Sequence, residues 1–409
     1  MKIAVIGSGI SGLSSAYYLS KNHKVDLYEQ SDHFGGHSYT YDIKEEDKIV
    51  PVDLGFIVFN ELTYPNLINF FNELNVPFEK SDMSFSVSVK NTNVEYGGSG
   101  FNAIFANKLN LLNLKFLKMI REIISFYNHA PSLLQNNIED KTLGDYLRRS
   151  KLSKYFIEYH IIPMVAAIWS MPFSKAKEMP LNLFLQFFIN HGLFRLKNRP
   201  QWYTVTNRSR TYVKKILDKI SGEVFKNYKV NKIIRSNENV RISIGNEYLD
   251  YDHIILASHA DQSLNLLDAP TEREKEILGK FSYVSNIAFL HTDTNLMPVR
   301  KKAWSSWNSI TKDKKTCITY WLNKLQNLKT DVDYFLTLNP VENISENKII
   351  KKVNFTHPYF NSENVELQKD LHLLQGRKRT WFCGSYFGYG FHEDGLKSTI
   401  ELIKRFNIQ

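Results

Sequence analysis

The sequence predicts an α/β protein in which a parallel sheet, assembled from distant parts of the chain, carries an inserted α+β domain. Three observations predict this fold. The chain begins with a strand, a glycine-rich turn, a helix and a second strand. Strand-like segments with small residues at their ends return near residues 257 and 383. Between them lie a long helical stretch and a further group of strands, as expected for a second domain inserted in two pieces.

The first strand is expected over residues 2–6, an apolar run, and the first helix over residues 11–22. A second strand follows over residues 24–29, with Val25 and Leu27 on its buried face. Strand, helix and strand in this order indicate a parallel pair, because parallel neighbours need a crossover connection that is usually a helix.

A glycine-rich turn joins the first strand to the first helix and has the sequence Gly-Ser-Gly-Ile-Ser-Gly over residues 7–12. Gly7 permits the tight turn, Gly9 lets the backbone approach a pyrophosphate, and Gly12 allows the helix to pack closely on the strand. The free N–H groups and the positive dipole at the helix N-terminus are suited to phosphate. This pattern predicts a Rossmann-like dinucleotide-binding domain.

Glu29 ends the second strand, where a carboxylate can accept hydrogen bonds from ribose hydroxyls. A glycine turn that binds no ligand is the alternative, but strand, turn, helix, second strand and acid occur here in the expected order. The sequence contains no second glycine turn of this type. Its absence favours a protein that takes electrons from its substrate and not from a nicotinamide dinucleotide.

Helices and strands alternate irregularly along the rest of the chain. Residues 101–150 have a helical and basic pattern, and residues 151–191 are helical and strongly apolar. Further strands are expected over residues 226–234, 240–244, 253–257, 286–291, 316–322, 334–338 and 379–383. A last helix is expected over residues 395–406.

These elements predict a discontinuous Rossmann-like cofactor domain and an inserted α+β substrate domain. The cofactor domain is expected to comprise residues 1–80, 205–265 and 372–409. The substrate domain is expected to comprise residues 81–204 and 266–371.

The composition is that of an ordinary globular protein, with 409 residues, 43% hydrophobic and 23% charged. Two cysteines, Cys317 and Cys383, allow no disulfide framework, so a cytoplasmic protein is expected. Neither a signal peptide nor an apolar run long enough to cross a membrane is expected. No cluster of His, Asp or Glu has the spacing of metal ligands, so no metal site is predicted.

The formal net charge is +10, and it allows two interpretations. The first is a surface of solvated lysines. The second is attraction to an anionic surface, for which a membrane is favoured because no nucleic-acid-binding module is recognisable. Residues 108–124 predict an amphipathic basic helix, which either packs on its own domain or lies on the inner face of a membrane as a peripheral contact.

The chain resembles the FAD-dependent amine oxidase and phytoene desaturase superfamily. Gly35 and Gly36 follow Glu29 at the spacing of that superfamily, in which the glycine pair packs beside the flavin pyrophosphate. An arginine usually follows the pair, whereas this chain has His37. The run Trp-Phe-Cys-Gly at residues 381–384 resembles the last strand of the superfamily, and residues 395–398 resemble the helix whose N-terminus faces the flavin.

A narrower resemblance covers nearly the whole chain. It is to a bacterial subgroup of predicted NAD/FAD-binding oxidoreductases, one branch of which is the desaturase of bacterial furan fatty acid synthesis. The strings that carry it are residues 52–60, 63–67, 81–86, 163–170, 199–202 and 386–395. The resemblance implies oxidation of a methyl-branched unsaturated acyl chain of a phospholipid.

These motifs and resemblances together predict FAD as the cofactor and a set of residues that hold it. The set is Gly7, Gly9, Ile10, Ser11, Gly12, Glu29, Gln30, Gly36, His37, Gly55, Phe56, Val230, Gly384, Asp394 and Gly395. The candidate catalytic residues are His392, Glu393 and Tyr389, because they are expected in the loop that meets the flavin and can accept a proton. His160, His191, Trp304, Trp307 and His357 are weaker candidates, since interior residues of these types are more often structural.

Residues 154–202 are rich in aromatic and aliphatic side chains. They form either an ordinary core or an apolar tunnel for an acyl chain. Three functions therefore remain open: an acyl-lipid desaturase, a flavin amine oxidase or isoprenoid desaturase, and a non-catalytic protein that binds flavin and lipid. For the amine oxidase, an aromatic cage could be built from Trp304, Trp307, Tyr320 and Trp321.

Overall fold

The computed structural model describes residues 1–92, 94–134, 140–169, 171, 173–313 and 315–406. Its first sheet is parallel throughout and brings together strands from distant parts of the chain. In spatial order the strands are Val224–Lys226, Lys24–Glu29, Lys2–Ile6, His253–Leu256 and Thr380–Phe382. This arrangement confirms the predicted α/β fold with a parallel sheet at its centre.

Both faces of this sheet are buried, as is usual for parallel sheets. Val25 and Leu27 pack on one face with the helices Ile10–Ser20 and His392–Phe406. On the other face, Tyr28 packs with Leu256. The predicted alternation along the second strand is therefore incomplete, because every residue from position 25 to position 29 is buried.

A second sheet has seven strands and is mainly antiparallel. In spatial order these are Ile349–Tyr359, Ser282–His291, Phe335–Leu338, Lys315–Trp321, Trp307–Lys312, Phe85–Val89 and Glu95–Gly97. Three small sheets complete the β-structure. The first comprises Lys232–Arg235, Val240–Ile244 and Glu247–Tyr251. The second comprises Thr40–Lys44 and Ile49–Asp53. The third comprises Phe59–Asn60, Trp202–Val205 and Phe78–Ser81.

A group of helices packs beside the seven-stranded sheet around an aromatic core that includes Phe116, Phe156 and Phe184. These helices are Phe101–Ile104, Leu114–Leu133, Leu143–Arg149, Lys154–Phe156, Ile162–Ile168, Phe173–Ala176 and Leu181–Asn190, with a π-helical turn at Ile157–Ile161. The remaining α-helices are Pro65–Glu73, Arg210–Leu217, Ala260–Leu266, Glu272–Leu278, Leu322–Leu325 and Ser362–Leu367. Short 3₁₀ turns occur at Lys108–Leu111, Thr294–Leu296, Lys301–Ala303, Glu346–Lys348, Gln368–Leu374, Arg377–Arg379 and Ser385–Phe387.

The structure corrects the helix predicted over residues 108–124. A 3₁₀ turn ends at Leu111, and Asn113 caps a separate helix, Leu114–Leu133, because its side chain accepts hydrogen bonds from the amides of Lys115 and Phe116. Phe116 and Ile123, which the predicted helix places near one apolar face, are core residues, so this face packs on the protein itself. The exposed apolar residues lie instead at the turn and the helix start.

Two further boundaries differ from the prediction. The last helix begins at His392 and not at Gly395, which moves His392, Glu393 and Asp394 into its first turn. The strand predicted over residues 226–234 is two strands with a break that contains Val230.

Ser170, which ends one of the quoted motifs, lies outside the described residues. No helix in the described part of the chain is long and apolar enough to cross a membrane.

Candidate functional site

A continuous cavity of about 1040 Å³ extends from the glycine-rich turn into the group of helices. This volume is at the upper limit of the roughly 300–1,000 Å³ of small-molecule sites. The cavity lies at the carboxyl ends of the strands Lys2–Ile6 and His253–Leu256, where open α/β sheets bind ligands. The cavity therefore joins the predicted dinucleotide site to the inserted helices.

The glycine-rich turn, residues 7–12, is built from close backbone approaches. A Cβ atom on Gly12 would stand 1.8 Å from the carbonyl oxygen of Gly7, so only glycine lets the helix pack there. Gly7 has φ of +97°, a conformation that favours glycine. At Gly9 a Cβ would meet no atom within 4 Å, because this residue faces the cavity. The turn thus leaves open space where a pyrophosphate is expected.

Glu29 connects this turn to the end of the second strand. One carboxylate oxygen accepts hydrogen bonds from the backbone amide of Ser8 at 2.9 Å and its hydroxyl at 2.7 Å, and the other accepts from the amide of Ser31 at 2.8 Å. Glu29 and Gln30 both line the cavity, with Val230 at the same end. Glu29 is therefore held rigidly where a ribose is expected.

The second glycine pair packs directly on the first turn. The amide of Gly35 donates to the carbonyl of Ser8 at 3.0 Å, and a Cβ on Gly36 would lie 3.1 Å from Cα of Gly9. Gly36 lines the cavity, as do Gly55 and Phe56 further along the chain.

His37 stands where the superfamily usually has an arginine, and it is half-buried among aromatic rings. Its ring centroid lies 5.1 Å from those of both Phe355 and His357. Burial lowers the pKa of His37 to about 4, so the ring is neutral at pH 7. A neutral imidazole cannot replace the positive charge of an arginine beside phosphate, although it can donate a hydrogen bond.

His392 reaches the cavity from the first turn of the last helix. Its Nε2 atom lies 2.9 Å from the Ser38 hydroxyl and 3.2 Å from the Tyr212 hydroxyl, and its ring stacks on Phe56 at a centroid distance of 3.8 Å. Burial lowers the pKa of His392 to about 3. The ring is therefore neutral and fixed in orientation.

The other two predicted catalytic residues lie outside the described cavity wall. Glu393 accepts hydrogen bonds from the amides of Asn66 and Leu67, both at 3.0 Å, and so caps the helix Pro65–Glu73. The Tyr389 ring packs in the helical core, 6.1 Å from Phe187. Within the described residues, His392 is the one of these three that lines the cavity.

Most of the predicted cofactor residues line the cavity. They are Gly7, Gly9, Ile10, Ser11, Glu29, Gln30, Gly36, His37, Gly55, Phe56, Val230 and Gly384. Gly12, Asp394 and Gly395 stand behind the described wall. A Cβ on Gly395 would lie 2.8 Å from the Ser11 hydroxyl, so this glycine lets the last helix approach the first. Asp394 accepts from the Phe391 amide at 2.9 Å, and burial raises its pKa to about 7.

The part of the cavity that extends between the helices is mainly apolar, and we call it the arm. Its wall residues are Ile104, Ile120, Ile123, Ile124, Tyr127, His160, Met164, Ile168, Phe187, Leu193, Leu196 and Arg199. The π-helical turn Ile157–Ile161 carries His160, whose ring nitrogens lie 2.9 Å from the Tyr96 hydroxyl and 2.8 Å from the Tyr127 hydroxyl. Burial lowers the pKa of His160 to about 3, so it is a neutral polar group in an apolar surrounding.

Only half of the predicted aromatic cage faces the cavity. The rings of Trp307 and Tyr320 meet edge to face at 4.8 Å and line it. The other two tryptophans stand outside the described wall. Trp304 donates to the Pro298 carbonyl, and Trp321 donates to Asp333.

The prediction missed a second aromatic pair. His259 stacks on Tyr283 at a centroid distance of 4.0 Å, and both rings line the cavity. A signal for His259 was available, because it closely follows the strand His253–Leu256, and the carboxyl ends of such strands form ligand sites. Tyr283 offered none, because it lies in a strand of the second sheet.

The described wall contains one carboxylate, Glu29, and it lies at the end of the glycine-rich turn. Its lysine and arginine residues are Lys229, near Val230, and Arg199, in the arm. The described residues contain no group of His, Cys, Asp and Glu that could hold a metal ion. The arm therefore offers no counter-charge to a cationic ligand.

Three buried polar atoms of the wall have no hydrogen-bond partner within the described protein. They are Nε2 of His37, Nε1 of Trp307 and the hydroxyl of Tyr386. Unpaired buried polar groups are costly, so such atoms are usually satisfied by a ligand or by water. With the open space at Gly9, they fit a large polar ligand such as a flavin dinucleotide.

Comparison with known proteins supports the fold. Residues 5–74 match the family of NAD(P)-binding Rossmann-like domains. No curated protein sequence matches the chain significantly. The similarities that extend over the whole chain are to solved structures.

Among the similar structures is putrescine oxidase bound to putrescine, with a TM-score of 0.71 and 13% identity, covering 100% of both chains. Cyclohexylamine oxidase from Brevibacterium oxydans IH-35A has a TM-score of 0.67 and 14% identity, covering 99% of both chains. A CLA-producing fatty acid isomerase from P. acnes has a TM-score of 0.66 and 13% identity, covering 99% of this chain and 98% of that one. The chain thus has the fold of these enzymes over its full length.

Proposed function

We propose that the protein is an FAD-dependent oxidoreductase that introduces a second double bond beside a methylated one in the acyl chain of a phospholipid. One observation carries the proposal: a single cavity joins the dinucleotide-type turn to an apolar arm that contains no carboxylate in its described wall. The resemblance to the furan fatty acid desaturases supports the acyl substrate, and the fold shared with a fatty acid isomerase is compatible with it.

The dinucleotide part of the cofactor has residues suited to hold it. The open space at Gly9 and the N-terminus of the helix Ile10–Ser20 suit the pyrophosphate, and Glu29 suits a ribose. Val230 lines the same end of the cavity as Glu29, which leaves the adenine beside it, while Gly384 lines the cavity near the last helix. When bound, FAD supplies the acceptor for the hydride that leaves the substrate.

The remaining residues orient the substrate and exclude water. The aliphatic and aromatic side chains of the arm hold an acyl chain without competing hydrogen bonds. Forming the second double bond removes a hydride from one carbon of the acyl chain and a proton from the neighbouring carbon. We propose His392 as the residue that accepts the proton, because it lines the described cavity and its neutral ring, held by the Ser38 and Tyr212 hydroxyls, retains an unprotonated nitrogen. Tyr389 and Glu393 have no comparable position.

We also propose a peripheral contact with an anionic membrane. The apolar residues at the turn Lys108–Leu111 and the following helix start are strongly exposed, with Leu112 at 85% and Leu114 at 80%. Lys115 and Lys118 lie within one turn of them and are also exposed. The same helix carries Ile120 and Ile123 of the arm. An apolar patch beside basic residues suits the surface of an anionic bilayer.

The proposal is tested by anaerobic reduction. The purified protein should contain FAD, and mixing with a phospholipid that carries a methyl-branched monounsaturated chain should bleach the flavin as conjugated-diene absorbance appears. Putrescine serves as the comparison substrate. Fast bleaching by putrescine together with none by the lipid would refute the desaturase and favour an amine oxidase.

An amine oxidase is the second candidate, and the edge-to-face pair of Trp307 and Tyr320 in the cavity favours it. Aromatic faces attract cations. The single carboxylate of the described wall weighs against it, since Glu29 already binds the glycine-rich turn. A flavin that neither class of substrate reduces would instead indicate a binding protein.

A further inference from the structure

The arm reaches solvent at its outer end. Ile124 and Leu196 are each 45% exposed, and Arg199 beside them is exposed as well. Deeper in the arm, Tyr127 and His160 are buried. The opening therefore lies between the helix Leu114–Leu133 and the segment that follows Asn190, and we call Ile124, Leu196 and Arg199 the arm mouth.

Arg199 is the one Lys or Arg of the described arm wall, and its positive charge influences the buried groups His160 and Tyr127. Its Nε atom donates to the carbonyl of Arg195 at 2.8 Å, which fixes part of the guanidinium. Among the described residues, no ion pair joins Arg199 to a carboxylate. Burial is the main cause of the lowered pKa of His160, and the positive charge of Arg199 lowers it further. The same charge opposes the rise that burial causes in the pKa of Tyr127.

A guanidinium without a carboxylate partner, at the mouth of an apolar cavity, is complementary to one kind of molecule. That molecule has a long apolar chain and an anionic head, because guanidinium groups bind carboxylates and phosphates through paired hydrogen bonds. A cationic amine would meet repulsion at the mouth and no carboxylate inside the arm.

We propose that Arg199 binds the anionic head of an amphiphile, a carboxylate or a phosphate, while its apolar chain fills the arm. This inference rests on the proposed oxidation of an acyl chain. It adds a specificity-determining residue, because a head held at the mouth places the oxidised carbons at a fixed distance along the chain. The chain enters tail first, and the head stays at the surface of the protein.

Binding of three oleoyl amphiphiles separates the possible heads. Oleate carries a carboxylate, oleoyl lysophosphatidylglycerol carries a phosphate, and methyl oleate has no charge. Quenching of intrinsic fluorescence gives a signal independent of turnover, because Trp202 and Trp307 line the cavity. The FAD-loaded protein should bind at least one anionic probe about 10-fold more tightly than methyl oleate. The tighter of the two identifies the head as a carboxylate or a phosphate.

Variants test whether the preference comes from Arg199. R199Q should lose the preference for the anion while retaining affinity for methyl oleate, and R199K should keep part of it. K197Q is the matched control, because Lys197 is an exposed cation of the same segment that does not line the described cavity.

The possible failures are distinguishable. If all three probes bind equally well to the protein, the inference about Arg199 is wrong while the acyl-binding arm stands. If K197Q loses as much as R199Q, the preference is a general effect of surface charge and the inference is also wrong. If no probe binds, both this inference and the proposed function fail.

Discussion

The two ends of the cavity are formed by different parts of the polypeptide. At the glycine-rich turn the wall is mainly backbone, and the contacts between Gly7, Gly12 and Gly36 and their neighbours leave no room for other residue types. In the arm the wall is side chains from several helices. Where backbone forms the wall, particular residue types are required at fixed spacings in the sequence. Where side chains form the wall, only their volume and polarity are restricted. The first kind of site is therefore recognisable in a sequence, and the second is not.

The largest expected effect is at the backbone end. Gly9→Val should leave the fold intact, because a Cβ there meets no atom within 4 Å, but it should weaken FAD binding by on the order of 100-fold or more by filling the pyrophosphate space. Gly12→Val is the contrast, since its Cβ would stand 1.8 Å from a carbonyl oxygen and should impair folding itself. Calorimetric titration of FAD and thermal unfolding separate the two. Normal FAD binding by Gly9→Val would disprove the role of the turn.

At the junction of the two ends, His392→Ala should lower the rate of flavin reduction by on the order of 100-fold if His392 manages the substrate proton. Glu393→Ala should instead lower the melting temperature, because it removes the cap of the helix Pro65–Glu73, and leave the rate per folded molecule unchanged. Stopped-flow reduction and thermal unfolding report the two effects. An unchanged rate in His392→Ala would exclude it as the base.

Within the arm, Ile120→Trp should reduce kcat/KM for the acyl substrate by about 10-fold, because the larger ring occupies part of the chain path and overpacking costs about 1–3 kcal/mol. FAD content should not change. Asn128→Trp is the control, as Asn128 is exposed on the same helix and does not line the described cavity. Equal kinetics in the two variants would mean that the substrate does not pass Ile120.

A smaller effect is expected outside the cavity. Replacing Leu112 and Leu114 with Glu should weaken cosedimentation with anionic vesicles several-fold, because exposed apolar area can no longer enter the bilayer. Val299→Glu is the control, since Val299 is 78% exposed elsewhere on the chain. Lys115 and Lys118 changed to Glu should weaken binding mainly at low salt. Vesicle binding that is insensitive to all these changes would remove the membrane proposal.

The smallest effect is a pH dependence of stability. Burial lowers the pKa of His160 and His392 to about 3, below the value of about 6.5 in the unfolded chain. These residues contribute stability that is complete above pH 6.5 and is lost as the pH falls toward 3, because the unfolded chain then binds more protons. Asp394 acts in the opposite direction. Because burial raises its pKa to about 7, the protonated carboxyl contributes stability at low pH, and this contribution is lost as the pH rises.

Melting temperatures between pH 7 and pH 4 measure this dependence. The wild type should become less stable as the pH falls, and His160→Gln should reduce the slope while lowering stability at pH 7 through the lost contacts with Tyr96 and Tyr127. A slope unchanged by the substitution would mean that His160 is not a source of the dependence.

The sequence predicted the parallel sheet because glycine spacing and apolar runs are local signals. Two errors had local signals that were overlooked. Asn113 is a preferred N-cap residue, which explains why residues 108–124 do not form one helix. Glu393 and Asp394 are acidic residues of the kind found in a first helical turn, where the last helix indeed begins.

Other features depend on contacts that no local pattern encodes. The Ser38 hydroxyl and His392 are 354 residues apart in the sequence, and both contact the Tyr212 hydroxyl. Trp307 lines the cavity from a strand of the second sheet, whereas Trp304 follows the turn Lys301–Ala303 and stands outside the described wall, although both are tryptophans. The candidate catalytic residues are therefore the least predictable part of the candidate site.

The strand order of the parallel sheet has a consequence for biosynthesis. Lys2–Ile6 pairs with Lys24–Glu29 on one side but with His253–Leu256 on the other, and that strand pairs in turn with Thr380–Phe382. During synthesis, one edge of the strand Lys2–Ile6 therefore stays unpaired until residue 256 has left the ribosome. The strand His253–Leu256 then lacks its neighbour Thr380–Phe382 until residue 382 has left the ribosome. Such long-range pairing slows folding and leaves strand edges open to aggregation. Cofactor capture is thus expected after synthesis of nearly the whole sheet, and chaperone demand should be greatest before that point.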